Sequence, residues 1–294
     1  MFQIQENKNI IEISSENNKA SASMNLDEGA RLFDVKLNDR NIISEYENFP
    51  YNNSSASAIL FPFVNRIKDG IYTFEGQTYQ IPCNEVEKNN ALHGLLYTRK
   101  FELLHKAVTS NAANITFQYI HDGSSQGFPF PFDFFVTYKL TETSLNVFLI
   151  VVNTGTKTFP FTIGWHPYFN SESLYKSTIN FTCEEEYTTT DDRSITNGTK
   201  PHELQMPFQL KNHQFDTAYK MLDNEIGFTT PSYQLKIKGS ASKNYVQFYT
   251  PKDKSIIAIE PTVGLSNSFN NGIGLQTLSP NKTYEISWEV EILN

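Results

Sequence analysis

The segment Thr283 to Ile292 constrains this chain more than any other, because it alternates without a break. Reading TYEISWEVEI, it sets Tyr284, Ile286, Trp288, Val290 and Ile292 on one side and Thr283, Glu285, Ser287, Glu289 and Glu291 on the other. A repeat of two is the side-chain period of an extended strand, whereas a helix would scatter the same residues around its circumference. The segment is therefore expected to be an antiparallel strand with one face in a core and one in water.

The same reading applies to Ile115 to Tyr119, Phe135 to Leu140, Leu145 to Val152, Tyr233 to Ile237, Tyr245 to Tyr249 and Ser255 to Ile259, each bounded by Gly, Pro, Asn, Asp or Ser. Turn chemistry separates neighbours: Glu75-Gly76-Gln77 lies between two short strand-like runs, and Asn38-Asp39-Arg40-Asn41 lies between Leu32 to Leu37 and Ile42 to Ile43. No helical stripe, internal repeat or linker interrupts this pattern, and the polar run Thr188 to Lys200 reads as a long surface excursion. These features predict an all-β chain folded as one large antiparallel β-sandwich domain over residues 1–294.

Composition sets the outer limits. A hydrophobic share of 39%, with 23 Phe and 15 Tyr, supplies apolar area for a sizeable core. A formal charge of −8 and a pI near 5.3 disfavour nucleic acid and anionic membranes as partners, since both would repel the chain. No run approaches the roughly 20 apolar residues of a membrane helix. Met1 to Asn9 is too polar for a secretory signal, so a cytoplasmic location is expected. Cys83 and Cys183 stand in no metal-ligand spacing and are expected to be free thiols, with no metal and no cofactor implied.

Function must come from particular residues. Two of the six histidines lie in apolar, glycine-bearing contexts: His93 in ALHGLLYTRKFEL and His166 in FPFTIGWHPYFN. The other four, His105, His121, His202 and His213, have polar flanks that suggest exposed loops or strand edges. His166 sits among Trp165, Tyr168 and Phe169, rings that could stack on a sugar; the alternative is a satisfied core histidine. Arg66, after an apolar run and Asn65, needs an acceptor such as an oxygen-rich ligand, or else pairs with an internal carboxylate or snorkels to water. Glu260 closes SIIAIE, and Pro261 after it is expected to stop regular pairing and leave the carboxylate at the strand's tip. Partial burial there would raise its pKa towards the range of a useful base. Asp216 in HQFDTAYKM could accept hydrogen bonds from ligand hydroxyls, although aspartate also favours turns.

Taken in chain order, NRI at Asn65 to Ile67, HGLL at His93 to Leu96, GWHPYF at Gly164 to Phe169, FDTAY at Phe215 to Tyr219 and IEP at Ile259 to Pro261 resemble the aldose 1-epimerase (galactose mutarotase) family. The match spans nearly the whole chain, and Pro261 after the glutamate resembles a divergent bacterial-type branch. The resemblance implies a galactose mutarotase-like supersandwich and an enzyme that interconverts α and β anomers of a free monosaccharide without a cofactor. It implies His166 as general acid, Glu260 as general base, and Arg66, His93 and Asp216 as residues that hold the sugar. Asn65, Trp165 and Tyr168 are expected to contribute to the same sugar site, and the protein to be a monomer or weak homodimer. Two further readings stay open: a non-catalytic carbohydrate-binding sandwich that uses the rings around His166, and action on a hexose 6-phosphate.

Overall fold

The computed structural model describes residues 1–190, 192–242, 244–252 and 255–293. Five strands, Phe2–Asn7, Ile10–Ser15, Ser21–Asn25, Arg31–Leu37 and Arg40–Ile43, form an antiparallel meander in chain order. Its last hairpin turns at Asn38 and Asp39 with φ of 45° and 64°, and asparagine and aspartate tolerate this left-handed region. A second tight turn, Glu75-Gly76 with φ of 48° and 77°, joins Ile71–Phe74 to Gln77–Gln80.

A much larger antiparallel sheet runs through Glu102–Val108, Ala113–His121, Phe132–Leu140, Ser144–Asn153, Thr283–Leu293, Gln234–Gly239, Asp216–Thr229, Tyr245–Tyr249, Ile256–Thr262, Gly164–Trp165 and Ile59–Leu60. The alternating C-terminal strand lies in its middle, with Trp288 opposite Val147 on one side and Gly239 on the other. Ile286, Trp288, Val290 and Ile292 are buried as the period-two pattern predicts. The two sheets share one hydrophobic core. At its centre the Phe61 ring packs on Phe132, Phe134, Phe161 and Phe159 at 5.0 to 6.5 Å between centroids. Each fully buried ring of this kind contributes roughly 1.5–3 kcal/mol.

The polar run Thr188 to Lys200 is a surface excursion built as a hairpin, its returning strand mostly exposed. Thr178–Thr189 pairs with Thr196–Lys200, and the tip between them leans back onto Asn89 and Asn90; Asp191 lies outside the described residues. Cys83 and Cys183 are free. Among the described residues no helix is long and apolar enough to cross a membrane.

Candidate active site

Glu260 is fixed by strand register. Ile256–Thr262 runs between Tyr245–Tyr249 on one side and the short strands Gly164–Trp165 and Tyr168–Asn170 on the other. Residues directly opposite in an antiparallel pair share a face. Gln247 lies opposite Glu260, while Tyr249 lies opposite both Ala258 and Asp216, and Tyr168 lies opposite Ala258. One face of the sheet therefore gathers Tyr168, Glu260, Gln247, Tyr249 and Asp216, and Val246 and Phe248 point into the core behind it.

Pro261 does not end this strand. It pairs opposite Val246, and the strand continues to Thr262. The N–H groups of Ile259 and Val263 point to the same edge, towards the carbonyls of Pro167 and Ile163. The missing N–H of Pro261 falls between them, where the neighbouring chain bends at His166, so no ladder bond is lost.

That bend presents the imidazole. The His166 N–H donates to the Ala58 carbonyl at 3.0 Å, and its carbonyl accepts from the Ser57 N–H at 2.8 Å. Gly164, just before it, packs so closely that a Cβ there would lie 2.7 Å from Thr262 Cγ2. Packing sets the ring's direction: Tyr168 stacks on it at 5.1 Å and 28°, and His93 meets it edge-on at 5.1 Å and 86°. His166 Nε2 lies 3.3 Å from Glu260 Oε1, with the two residues only 5% and 4% exposed.

His93 and Asn65 arrive on a pair of crossing loops, both in the left-handed region at φ of 65° and 53°. The His93 N–H donates to the Asn65 carbonyl at 2.8 Å, and Leu92 pairs with Arg66 in a short two-stranded ladder. The guanidinium of Arg66 is held from behind by a fork from Glu85, with Nε to Oε2 and Nη2 to Oε1 both 2.8 Å, and Nη1 donates to Asn65 Oδ1 at 3.0 Å. Among the described residues, three of its five N–H groups find these acceptors and two are left. On the opposite wall Gln247 Nε2 donates to Asp216 Oδ1 at 3.0 Å.

Burial dominates the electrostatics. It pushes the Glu260 carboxyl well up, helped by the charge of Asp216 and opposed by that of Arg66. It drives His166 down to about 4. His93 is held well below the usual histidine range by burial, with His166 and Arg66 adding to the effect. Asp216 is raised, first by burial and then by Glu85, against Arg66 and Lys88. Burial alone would raise Glu85 too, but the hydrogen bonds of Arg66 and Asn90 and the charges of Arg66 and Lys88 together hold it below the usual range. Glu260, Asp216 and Arg66 thus sense one another across a single site.

Comparison with known proteins places the chain. The profile of the Aldose 1-epimerase family matches residues 11–291. The chain belongs to the aldose 1-epimerase family. It is 29% identical over 245 residues to the uncharacterized protein YihR of Escherichia coli (strain K12), covering 79% of this chain and 77% of that one. Among solved structures, a galactose mutarotase-like protein from Clostridium acetobutylicum superposes with a TM-score of 0.87 at 20% identity, covering 100% of this chain and 98% of that one. A galactose 1-epimerase from Lactobacillus acidophilus NCFM gives 0.77 at 16%, again over 100% and 98%. The fold is the galactose mutarotase-like β-sandwich.

Within this aldose 1-epimerase fold, His166, Glu260, His93, Arg66, Asn65, Tyr168 and Asp216 converge, and one expected residue does not. Trp165 is fully buried in the core, packed edge-on to Phe169, because adjacent residues of an extended chain point to opposite faces. It faces away from His166 and offers no platform. His166 and Glu260 lie side by side, so both present their polar atoms to the same side of the site. Arg66 takes the internal-carboxylate partner that the sequence left open, and Asn65 acts on it through Oδ1. Among the remaining histidines, His121 is buried rather than exposed: it ends Ala113–His121 with its ring packed against Phe132 and Nε2 3.4 Å from the Phe128 carbonyl. Three residues of the site escaped the sequence reading. Gln247 and Tyr249 were accessible to it, since alternation in YVQFY sets Tyr245, Gln247 and Tyr249 against the apolar Val246 and Phe248. Glu85, in a polar loop, carried no such signal.

Proposed function

We propose that this protein interconverts the α and β anomers of a free, uncharged aldose, with His166 as proton donor and Glu260 as proton acceptor. The observation that carries the reading is the 3.3 Å approach of His166 Nε2 to Glu260 Oε1 in an almost closed floor. Opening a hemiacetal needs one proton delivered to the ring oxygen and another removed from the anomeric hydroxyl. Both oxygens hang on the same carbon, so the donor and acceptor must be neighbours as well.

In the forward step the bond from the anomeric carbon to the ring oxygen breaks, its electron pair leaves on that oxygen, and the imidazolium protonates it. The anomeric O–H proton passes to the carboxylate as the carbonyl forms. Rotation about the bond to the carbonyl carbon and reclosure with reversed proton roles gives the other anomer. The pair carries one proton throughout: imidazolium beside carboxylate becomes imidazole beside carboxylic acid. Burial disfavours separated charges and holds His166 down and Glu260 up, so imidazole beside carboxylic acid is the resting form of the pair and imidazolium beside carboxylate, which carries the same single proton, is the less populated form that starts the forward step. Each positioned proton-transfer group typically contributes on the order of a hundred- to ten-thousand-fold.

The surroundings support a neutral sugar. Arg66, Lys88 and Arg193 each already have a carboxylate within 3.9 Å, which weakens the case for a sugar phosphate. With Trp165 and Phe169 in the core, two of the three rings that a purely binding site would need are absent from the face. The test follows the approach to anomeric equilibrium of fresh α-D-glucose, α-D-galactose and their 6-phosphates by polarimetry. Wild type should accelerate at least one free sugar, and Glu260→Gln should lose about a hundred- to ten-thousand-fold of that rate while still binding it. A wild-type protein that tracks the buffer on every sugar ends the reading.

A further inference from the structure

Among the described residues, Arg193 and Ser194 at the hairpin tip touch neither member of the acid–base pair, yet their contacts lead to them. Arg193 Nη2 donates to Asn90 Oδ1 at 2.8 Å and to the Asn89 carbonyl at 2.6 Å, and pairs with Asp69 at 3.0 Å. Neighbouring Ser194 accepts from Lys88 Nζ at 3.0 Å through its hydroxyl and from the Ser266 hydroxyl at 2.9 Å through its carbonyl. Asn90 is fully buried, and its Nδ2 donates to Glu85 Oε2 at 2.8 Å. Glu85 in turn grips Arg66 with both oxygens. A planar fork on a planar fork fixes orientation as well as position, which a single contact cannot do. The two guanidinium N–H groups left over, one on Nη1 and one on Nη2, are thereby held in a fixed orientation.

We infer that Glu85 is the positioning residue of this site: its carboxylate, held by Asn90 and through it by Arg193 on the hairpin tip, sets the orientation in which Arg66 meets the sugar. The inference rests on the acid–base reading above. Arg66 meets Asn65 and His93 on its own loops, Asp216 and Glu260 from the sheet face, and Glu85 behind; Lys88 pairs with Glu85, and Arg193 with Asp69 stands beyond Asn90. Glu85 cancels much of the Arg66 charge. Removing the Glu85 charge leaves Arg66 freer to stabilise the Glu260 carboxylate, so Glu260 should release its proton at lower pH.

The experiment compares wild type with Glu85→Gln, Glu85→Asp and Arg193→Met. The chain has five arginines, so an Arg Nε–Hε spectrum is sparse, and the Arg66 signal is identified by its loss in Arg66→Lys. Wild type should show a slowly exchanging Arg66 Hε. Glu85→Gln should speed its exchange and lower kcat/KM about ten- to a hundredfold, mostly through KM, with the alkaline limb of the rate profile moved to lower pH. Glu85→Asp should recover part of each effect, and Arg193→Met should reproduce a milder form of the exchange and KM changes. A folded Glu85→Gln protein with an unchanged Arg66 signal and kcat/KM within about twofold of wild type overturns the inference. Should that variant fail to fold, the same outcome in Glu85→Asp and Arg193→Met overturns it. A wild type inactive on every sugar instead defeats the acid–base reading and leaves the Arg66 signal to decide this one.

Discussion

Gly94→Ala should damage the site more than its small size suggests. Gly94 has φ of 78°, a region that costs a residue with a Cβ roughly 1–2 kcal/mol. A Cβ built there would also lie 2.3 Å from the Phe61 carbonyl oxygen, 2.6 Å from its carbon and 2.9 Å from its nitrogen. These are backbone atoms, anchored by the Phe61 ring in the core, so they cannot rotate away and the loop must lift instead. Lifting breaks the 2.7 Å bond from the Leu95 N–H to that carbonyl, worth about 1 kcal/mol, and the sum is about 2–3 kcal/mol. The displaced residue next door is His93, which packs on the His166 ring, and a misplacement of about 1 Å in such a site can cost on the order of a hundredfold in rate. Gly76→Ala is the control: φ is 77°, but nothing lies within 4 Å, so only the conformational cost applies. Urea denaturation and kcat/KM of both variants decide the matter. Equal destabilisation in the two, with kcat/KM unchanged in Gly94→Ala, would refute the close-approach argument.

Initial rates should trace a bell against pH. Below about 4 the pair takes a second proton and Glu260 stops accepting, while at high pH it loses its only proton and His166 has none to give; a rate that climbs steadily with pH contradicts this. Glu260→Gln should be at least as stable as wild type, and increasingly so as pH rises. The folded-state pKa of Glu260 lies above its unfolded value near roughly 4.3, so the folded form binds the extra proton and wild-type stability declines from there through the raised pKa. Melting curves whose separation ignores pH would remove the buried-carboxyl argument. Trp165→Phe should cost about 1–3 kcal/mol of stability and leave KM for the sugar unchanged, as suits a core ring; a selective rise in KM would return Trp165 to the binding face.

What the sequence disclosed, and what it withheld, follows from the range of each interaction. Alternation along one strand is local, so Thr283–Leu293 and its neighbours were legible residue by residue. His166, Glu260, Arg66 and His93 were legible because polar groups in apolar runs need partners. The identity of those partners is a matter of register between distant segments. Nothing near Glu260 says that Gln247 lies opposite it, and nothing near Arg66 says that the Leu92 pairing swings Glu85 behind its guanidinium. Trp165 is different, because the rule that excludes it was available. A ring directly beside His166 on extended chain must point to the other face, and only Tyr168, two residues on and past the bend, can share the imidazole's side. Pro261 obeys the same rule in the backbone. N–H groups alternate between strand edges, so the missing donor is harmless only on the edge where Ile259 and Val263 face the His166 bend. The bend that aims His166 is thus also what allows a proline to follow Glu260 without breaking its strand. Straightening it, as a residue deleted between Trp165 and Tyr168 would do, should therefore cost both members of the pair together.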